Sequence, residues 1–276
     1  MNTINKDESI FVKGDSLKVM EGIGDKSIDM IFTGPPYGTT KSKGDKKIDL
    51  YKMWESFNRI ITDIGVVVIQ VMQPFTTLVM SANMEVCPQL KFRFDRVWPK
   101  VLRYKQIVNV GNVTSPFHAN NRPLNGHETF LIFYKNLGVY NPQMEDVGSS
   151  YEREYKEAER NKSIYTDNVK KIDVRSKGTA RFPTTMMPFY SHSNSGRQHP
   201  MQIPIELAED YIKTYTNIGD TVLDPFGGSG TTAIACMNLA RIYQCIEKYT
   251  KTYNKTAERL NCTWEDKWRE ARGCCS

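Results

Sequence analysis

Residues 221–240 read TVLDPFGGSGTTAIACMNLA, and the change of character along this stretch decides the fold. Thr221, Val222 and Leu223 are β-branched or apolar and predict a short strand. Asp224 stands at the strand's carboxyl end, followed by the turn Phe226-Gly227-Gly228-Ser229-Gly230. A helical pattern opens at about Thr231 and runs to Leu239. Glycines in such a turn let the backbone bend sharply and come close to a ligand. The next strand, 242–246, ends in front of Glu247, 17 residues after Gly230. A carboxylate at the tip of the second strand is placed to grip ribose hydroxyls.

Outward from this unit, short apolar runs alternate with helical patterns. Strands are predicted at 10–12, 28–33, 66–71, 92–97 and 129–134, and helices at 50–62, 76–83, 205–216 and 250–260. Several strands are continuous apolar runs, as in sheets buried on both faces. The expected class is therefore α/β, in one domain spanning 1–276. A chain of 276 residues with 39% hydrophobic and 25% charged residues can bury one large core. Residues 138–198 break the pattern with few apolar runs and predict an insertion. Within it, 151–162 alternates in charge like a solvated helix face, whereas VKKIDVRSKGTAR at 169–181 is basic enough to touch phosphates.

The net charge of +6 is compatible with a polyanionic partner. No apolar stretch approaches the ~18 residues of a membrane span, and MNTINKDESI has no apolar core of a secretion signal. Cys87, Cys236, Cys245, Cys262, Cys274 and Cys275 show no metal-ligand spacing and read as reduced thiols of a cytoplasmic protein. With only His118, His127, His192 and His199 beside them, no metal site is expected.

Three cofactor readings compete for the glycine turn. A phosphate-binding P-loop needs a Lys after the last glycine, and Thr231 stands there instead. A dinucleotide site needs GxGxxG/A, which Gly228, Gly230 and Ala233 satisfy. S-adenosylmethionine has no pyrophosphate to cradle; it needs close backbone approach and a carboxylate for its ribose. Asp224 and Phe226 ahead of the glycines fit this third reading better.

A second strand-end motif lies at Thr33-Gly34-Pro35-Pro36-Tyr37-Gly38. The double proline fixes the backbone and removes two N–H donors. It presents rigid carbonyls followed by an aromatic ring, which suits a planar heterocycle bearing an exocyclic amine. Alone, it reads more readily as a Pro-Pro loop with a core tyrosine; two strand-end motifs in one α/β sheet change that balance.

Together the two motifs resemble those of the DNA amino-methyltransferases, which pair an (Asp/Asn/Ser)-Pro-Pro-(Tyr/Phe/Trp) tetrapeptide with a Phe-x-Gly-x-Gly cofactor loop. Here the tetrapeptide at 34–37 comes first and the loop at 226–230 last, the order of the circularly permuted β class. GDSLKVMEGIGDKSIDMIFTGPPYG, LNGHETFLIFYKN and HPMQIPIELAEDYI resemble further family segments in the same order. The resemblance implies a Rossmann-like, S-adenosylmethionine-dependent methyltransferase acting on the exocyclic N6 of adenine in double-stranded DNA. It implies a catalytic turn of Gly34, Pro35, Pro36 and Tyr37, with Tyr37 stacking on an extruded base. It places Asp224, Phe226, Gly228, Gly230 and Thr231 around the cofactor and Glu247 on its ribose. Asp15 would lie near its adenine or the catalytic loop, and His199, Pro200 and Gln202 would begin the segment over its methionine end. Lys170, Lys171, Arg175, Lys177, Arg181 and Arg197 would hold DNA phosphates, and 138–198 would recognise the target. Family members often dimerise and accompany a cognate restriction endonuclease.

Gly34 departs from the family, which carries a side-chain acceptor at that position. The exocyclic nitrogen is a poor nucleophile because its lone pair is delocalised, and an acceptor on its N–H lets it pyramidalise. Losing one preorganised polar contact costs about 10²–10³ in rate. Three readings of Gly34 follow: an adenine methyltransferase using another acceptor, such as Asp45, water or a carbonyl; an impaired chain that still binds cofactor and DNA; or an N4-cytosine enzyme. Gly38-Thr39-Thr40 after the tetrapeptide is closer to the adenine enzymes. Ile203 replaces a family lysine. Rival classes are a silent DNA-binding homologue, a nicotinamide-cofactor enzyme, and a methyltransferase acting on RNA or a protein amide.

Overall fold

The computed structural model describes residues 3–6, 8–38, 46–99, 101–104, 107–110, 127–146, 180–187 and 202–271. It divides into two units, 1–141 with 185–276, and 142–184; the second falls inside the insertion expected at 138–198.

Along the first unit run β1 (Thr3–Lys6), β2 (Ser9–Lys13), α1 (Ser16–Met20), β3 (Ile28–Thr33), α2 (Leu50–Ile60), β4 (Ile61–Val71), α3 (Phe75–Val86), β5 (Lys91–Pro99), β6 (Val101–Tyr104), β7 (Ile107–Val110) and β8 (His127–Tyr134). The second unit contributes β9 (Glu145–Asp146) and β10 (Ala180–Arg181), an antiparallel pair of its own. The first unit resumes with α4 (Ile205–Tyr215), β11 (Thr221–Asp224), α5 (Thr231–Asn238), β12 (Ile242–Glu247) and α6 (Thr250–Ala271).

Eight strands form one sheet in the order β1-β2-β12-β11-β3-β4-β8-β5. The five from β2 to β4 run parallel to their neighbours, while β1, β8 and β5 add on antiparallel at the two sides. β6 and β7 pair only with each other. Side chains alternate across the sheet. Met30, Phe32, Val66, Val68, Phe130 and Ile132 pack beneath Leu207, Tyr211, Ile234 and Tyr253 of α4, α5 and α6. Ile31, Val67, Ile69, Leu131 and Phe133 pack on the other face, against Met20, Trp54, Phe57 and Val79 of α1, α2 and α3. Burial on both faces explains the unbroken apolar runs of β3 and β4.

Several boundaries differ from the sequence expectation: β4 begins at Ile61 and not at 66, α3 runs on to Val86 and β5 to Pro99, and two helix ends differ as well. The helix predicted at 50–62 ends at Ile60, because β-branched Ile61 and Thr62 continue directly into β4 and Ile61 pairs with Ile28. The helix predicted at 250–260 continues to Ala271. At α2 the start follows capping rules: Asp49 accepts from the backbone N–H groups of Tyr51 and Lys52, both at 3.1 Å. Trp54 Nε1 then donates to Val79 O at 3.0 Å, fastening α2 to α3. On the opposite face a buried ion pair, Arg96 Nη1 to Asp210 Oδ2 at 2.7 Å, joins β5 to α4.

Candidate active site at the carboxyl rim of the sheet

Of the loops that leave the five parallel strands at their carboxyl ends, those after β2, β12, β11 and β3 are made neighbours by the sheet order. The turn after β11 is organised by the carboxylate before it. Asp224 is buried; its Oδ1 accepts from Thr33 Oγ1 at 2.8 Å and from Phe226 N at 3.1 Å, and its Oδ2 accepts from Thr232 Oγ1 at 2.6 Å. Burial raises its pKa, opposed by these three donors. Gly230 ends the turn with φ 77°, and a Cβ there would lie 2.6 Å from Thr256 Cγ2. Both the left-handed backbone and the close approach of α6 require glycine. Thr256 Oγ1 donates to Gly228 O at 2.6 Å, so α6 also fixes the turn's outer side.

Three glycine N–H groups of this turn are paired within the chain. Gly227 N donates to Ile246 O at 2.8 Å, Gly228 N to Glu247 Oε2 at 3.2 Å, and Gly230 N to Gly227 O at 2.8 Å. A phosphate cradle requires such groups to point at the ligand. The pairing of these three groups fits a ligand without a pyrophosphate. Glu247 is buried at the tip of β12, and its other oxygen accepts from Tyr249 N at 2.7 Å. Burial raises its pKa, against the stabilising backbone donors. Thr231 is buried at the start of α5, and Phe226 packs on the core at the turn's near side.

The loop after β2 closes on the same place. Gly14 N donates to Glu247 O at 3.1 Å, and Ser16 Oγ donates to Pro225 O. Asp15 caps α1 through Lys18 N and pairs with Lys248 Nζ at 2.8 Å. The hydrogen bond from Lys248 lowers the Asp15 pKa.

The TGPPYG turn follows β3, the strand next to β11. Thr33 reaches Asp224 directly, so the turn that begins at Gly34 is hydrogen-bonded to the glycine turn. Gly34 is exposed and Pro35 buried. Tyr37 is half-buried; its ring lies 4.8 Å from that of Phe75, and its hydroxyl donates to Gln70 O at 3.3 Å. Beside Gly34 stands the Gln70 side chain of β4, and Gln70 Nε2 in turn donates to Glu128 Oε2 of β8, one strand further. Neither was singled out as a site residue from sequence. The available signal was a lone amide in the apolar run VVVIQV and the His127-Glu128 pair that opens β8.

Gln202 is buried just before α4. Arg181 is placed by its backbone in β10. Asp45, His199, Pro200, Lys170, Lys171, Arg175, Lys177 and Arg197 lie outside the described residues. Among the described residues no group of three or more His, Cys, Asp and Glu could hold a metal ion. No helix among them is long and apolar enough to cross a membrane. Cys87, Cys236 and Cys245 are buried free thiols, and burial pushes Cys87 up to about 11.

A mixed α/β sheet with a glycine turn and a Pro-Pro turn joined at one rim defines a Rossmann-like methyltransferase architecture. The DNA methylase family model matches residues 28–259, and the chain belongs to this family. It is 27% identical over 239 residues to the Type II methyltransferase M.BglII of Bacillus subtilis, covering 83% of this chain and 62% of that protein. The chain thus matches less than two thirds of that relative's length. It is 26% identical over 278 residues to the Type II methyltransferase M2.LlaDCHI of Lactococcus lactis subsp. cremoris, covering 93% of this chain and 90% of the relative. Among solved structures, the M1.HpyAVI–SAM complex superposes with a TM-score of 0.59 at 21% identity, covering 91% of this chain and 98% of that one.

Proposed function

We propose that this chain methylates the exocyclic N6 of adenine in double-stranded DNA, with S-adenosylmethionine as donor and the target base swung out of the duplex. One observation carries the reading: the Thr33–Asp224 hydrogen bond joins the Pro-Pro turn to the glycine turn, which supports donor and acceptor sites side by side at one rim. The committed N–H groups of the glycine turn support a donor lacking a pyrophosphate. The likeness to Type II methyltransferases supports a methyl-transfer reaction, and with it the proposal of a cognate restriction endonuclease as partner.

S-adenosylmethionine would supply an electrophilic methyl on a sulfonium. Glu247 would hold its ribose, and Asp224, Phe226, Gly228, Gly230 and Thr231 would line its site, with Gln202, His199 and Asp15 at the edges. Tyr37, braced by Phe75, offers a ring on which the extruded base stacks. A carbonyl of the Pro35-Pro36 pair accepts one N–H of the amine. Held this way, the amine nitrogen would present its lone pair to the methyl group that the bound donor would supply, and its surplus proton would pass to water. Positioning supplies most of the acceleration. Lys170, Lys171, Arg175, Lys177, Arg181 and Arg197 anchor phosphates, and 138–198 reads the sequence.

The test is incubation of the full chain with unmethylated DNA and methyl-labelled S-adenosylmethionine, followed by base-resolution mapping. Label at adenine N6 in one sequence context is expected. Donor binding without incorporation would favour a second reading, a silent DNA-binding homologue, to which the missing side chain of Gly34 points. Label at cytosine N4 would keep the reaction and change the base.

A further inference from the structure

The side-chain acceptor missing at Gly34 has a counterpart on the next strand. Phe32 pairs with Val68 and Thr33 with Ile69, so one step further Gly34 comes level with Gln70. Gln70 pairs with Phe130 across β4 and β8, which puts Glu128 two residues along on the same face. Gly34, Gln70 and Glu128 thus form a row across three adjacent strands at the rim. A Cβ on Gly34 would lie 3.0 Å from Gln70 Oε1 and 3.6 Å from Gln70 Cβ. The amide oxygen occupies the space that a side chain at position 34 would enter.

The orientation of that amide is dictated by chemistry. A carboxylate only accepts hydrogen bonds, so the Gln70 NH₂ must face Glu128 and Oε1 must face Gly34. Glu128 is buried, which limits other arrangements of the pair. Tyr37, the stacking ring, is tied through its hydroxyl to the backbone carbonyl of Gln70, so ring and amide are attached to the same residue of β4.

We propose that Gln70 Oε1 accepts the second N–H of the target amine, in place of a side chain at position 34, and that Glu128 is the positioning residue that fixes the amide. The proposal rests on the methyltransferase reading above. The amide is an acceptor and not a base: it orients the lone pair for transfer, and the proton still leaves to water. A neutral acceptor polarises the amine less than a carboxylate does. The wild-type chain is therefore slower than one with a carboxylate in that place.

The test compares three full-length variants, Gln70→Met, Glu128→Gln and the exchange Gln70→Glu with Glu128→Gln. Each is measured by single-turnover transfer of labelled methyl to unmethylated DNA, by donor and DNA affinity, and by thermal melting. Gln70→Met loses about 10²–10³ in rate with both affinities unchanged. Glu128→Gln loses less, because its amide no longer dictates which end of Gln70 faces Gly34. The exchange keeps the cross-strand hydrogen bond, presents a carboxylate oxygen to the amine, and transfers at least as fast as wild type. If Gln70→Met melts early, Gln70→Leu replaces it. Transfer by Gln70→Met at the wild-type rate, or an exchange as slow as Gln70→Met, overturns the assignment and leaves the methyltransferase reading intact. A wild type that binds donor and DNA but transfers nothing overturns both.

Discussion

The rim is built in two ways. At β11 and β12 the decisive groups sit within the motif that announces them: Asp224 holds the turn it begins, and Glu247 holds Gly228 of that same turn. At β3 the motif supplies backbone and a ring but no side-chain acceptor, and the polar atoms come from β4 and β8, 36 and 94 residues beyond Gly34 (70 − 34 and 128 − 34). The first region is a local device that a strand-turn-helix sequence encodes by itself. The second is a cross-strand device that exists only once the sheet has formed.

The first region should be the more brittle. Asp224→Ala removes the acceptor of Thr33 Oγ1, Thr232 Oγ1 and Phe226 N, leaving donors in a buried site. Unsatisfied buried donors cost roughly 1–3 kcal/mol each, although the two hydroxyls can rotate to new partners. A loss of about 2–4 kcal/mol in chemical denaturation, together with loss of donor binding, is expected. A variant of wild-type stability would show that the turn does not depend on this carboxylate.

The second region should show coupling in place of brittleness. Gly34→Asp alone must push Gln70 Oε1 away, since its Cβ starts 3.0 Å from that oxygen. Two acceptors then compete for one N–H, and no gain in transfer rate is expected. Gly34→Asp combined with Gln70→Ala opens the space and should exceed both single variants in rate. The coupling in that double-mutant cycle should be about 1–3 kcal/mol. Additive behaviour would break the comparison, because it would mean that the two positions do not share a space.

The same contrast explains what was legible in the sequence. The α/β class and the main-sheet strands other than β1 follow from apolar runs and turn chemistry, and the meeting of both motifs at one rim follows from the family resemblance. Thr33 next to Asp224 is an instance: each ends an apolar strand, and parallel neighbours bring such ends together. The end of α2 was misplaced because Ile61 and Thr62 suit either period, and only their pairing with β3 decides. Gln70 escaped because a single polar residue in a buried strand carries no spacing signal; its meaning depends on register with Gly34 and Glu128.

Acidification should separate binding from stability. Burial holds both Asp224 and Glu247 above the ordinary carboxylate values. For such groups the stabilising contribution is full below the unfolded pKa and is lost as pH rises through the raised folded one. Lowering pH from neutral through that window should therefore raise the melting temperature of the donor-free chain. Donor affinity should move the other way, since a protonated Glu247 accepts ribose hydroxyls less well, by at most roughly tenfold per pH unit for one proton. Glu247→Gln should flatten the affinity profile while lowering its plateau. Parallel rather than opposed profiles would exclude Glu247 from the ribose site.

The smallest effect is expected where the loop after β2 meets β12. Asp15 and Lys248 pair at 2.8 Å, but both side chains are substantially exposed. Exposed pairs contribute below about 1 kcal/mol. The Asp15 pKa is depressed from 3.8, chiefly by the Lys248 hydrogen bond. Its contribution is therefore present above the unfolded value and lost as pH falls through the folded one. Lys248→Ala should shift the melting temperature only slightly at neutral pH, and added salt should erase even that. The loop keeps its other attachments, Gly14 N to Glu247 O and Ser16 Oγ to Pro225 O, which do not involve Lys248. A large loss of stability in Lys248→Ala would mean that the ion pair, and not this backbone seam, fastens the loop to the rim.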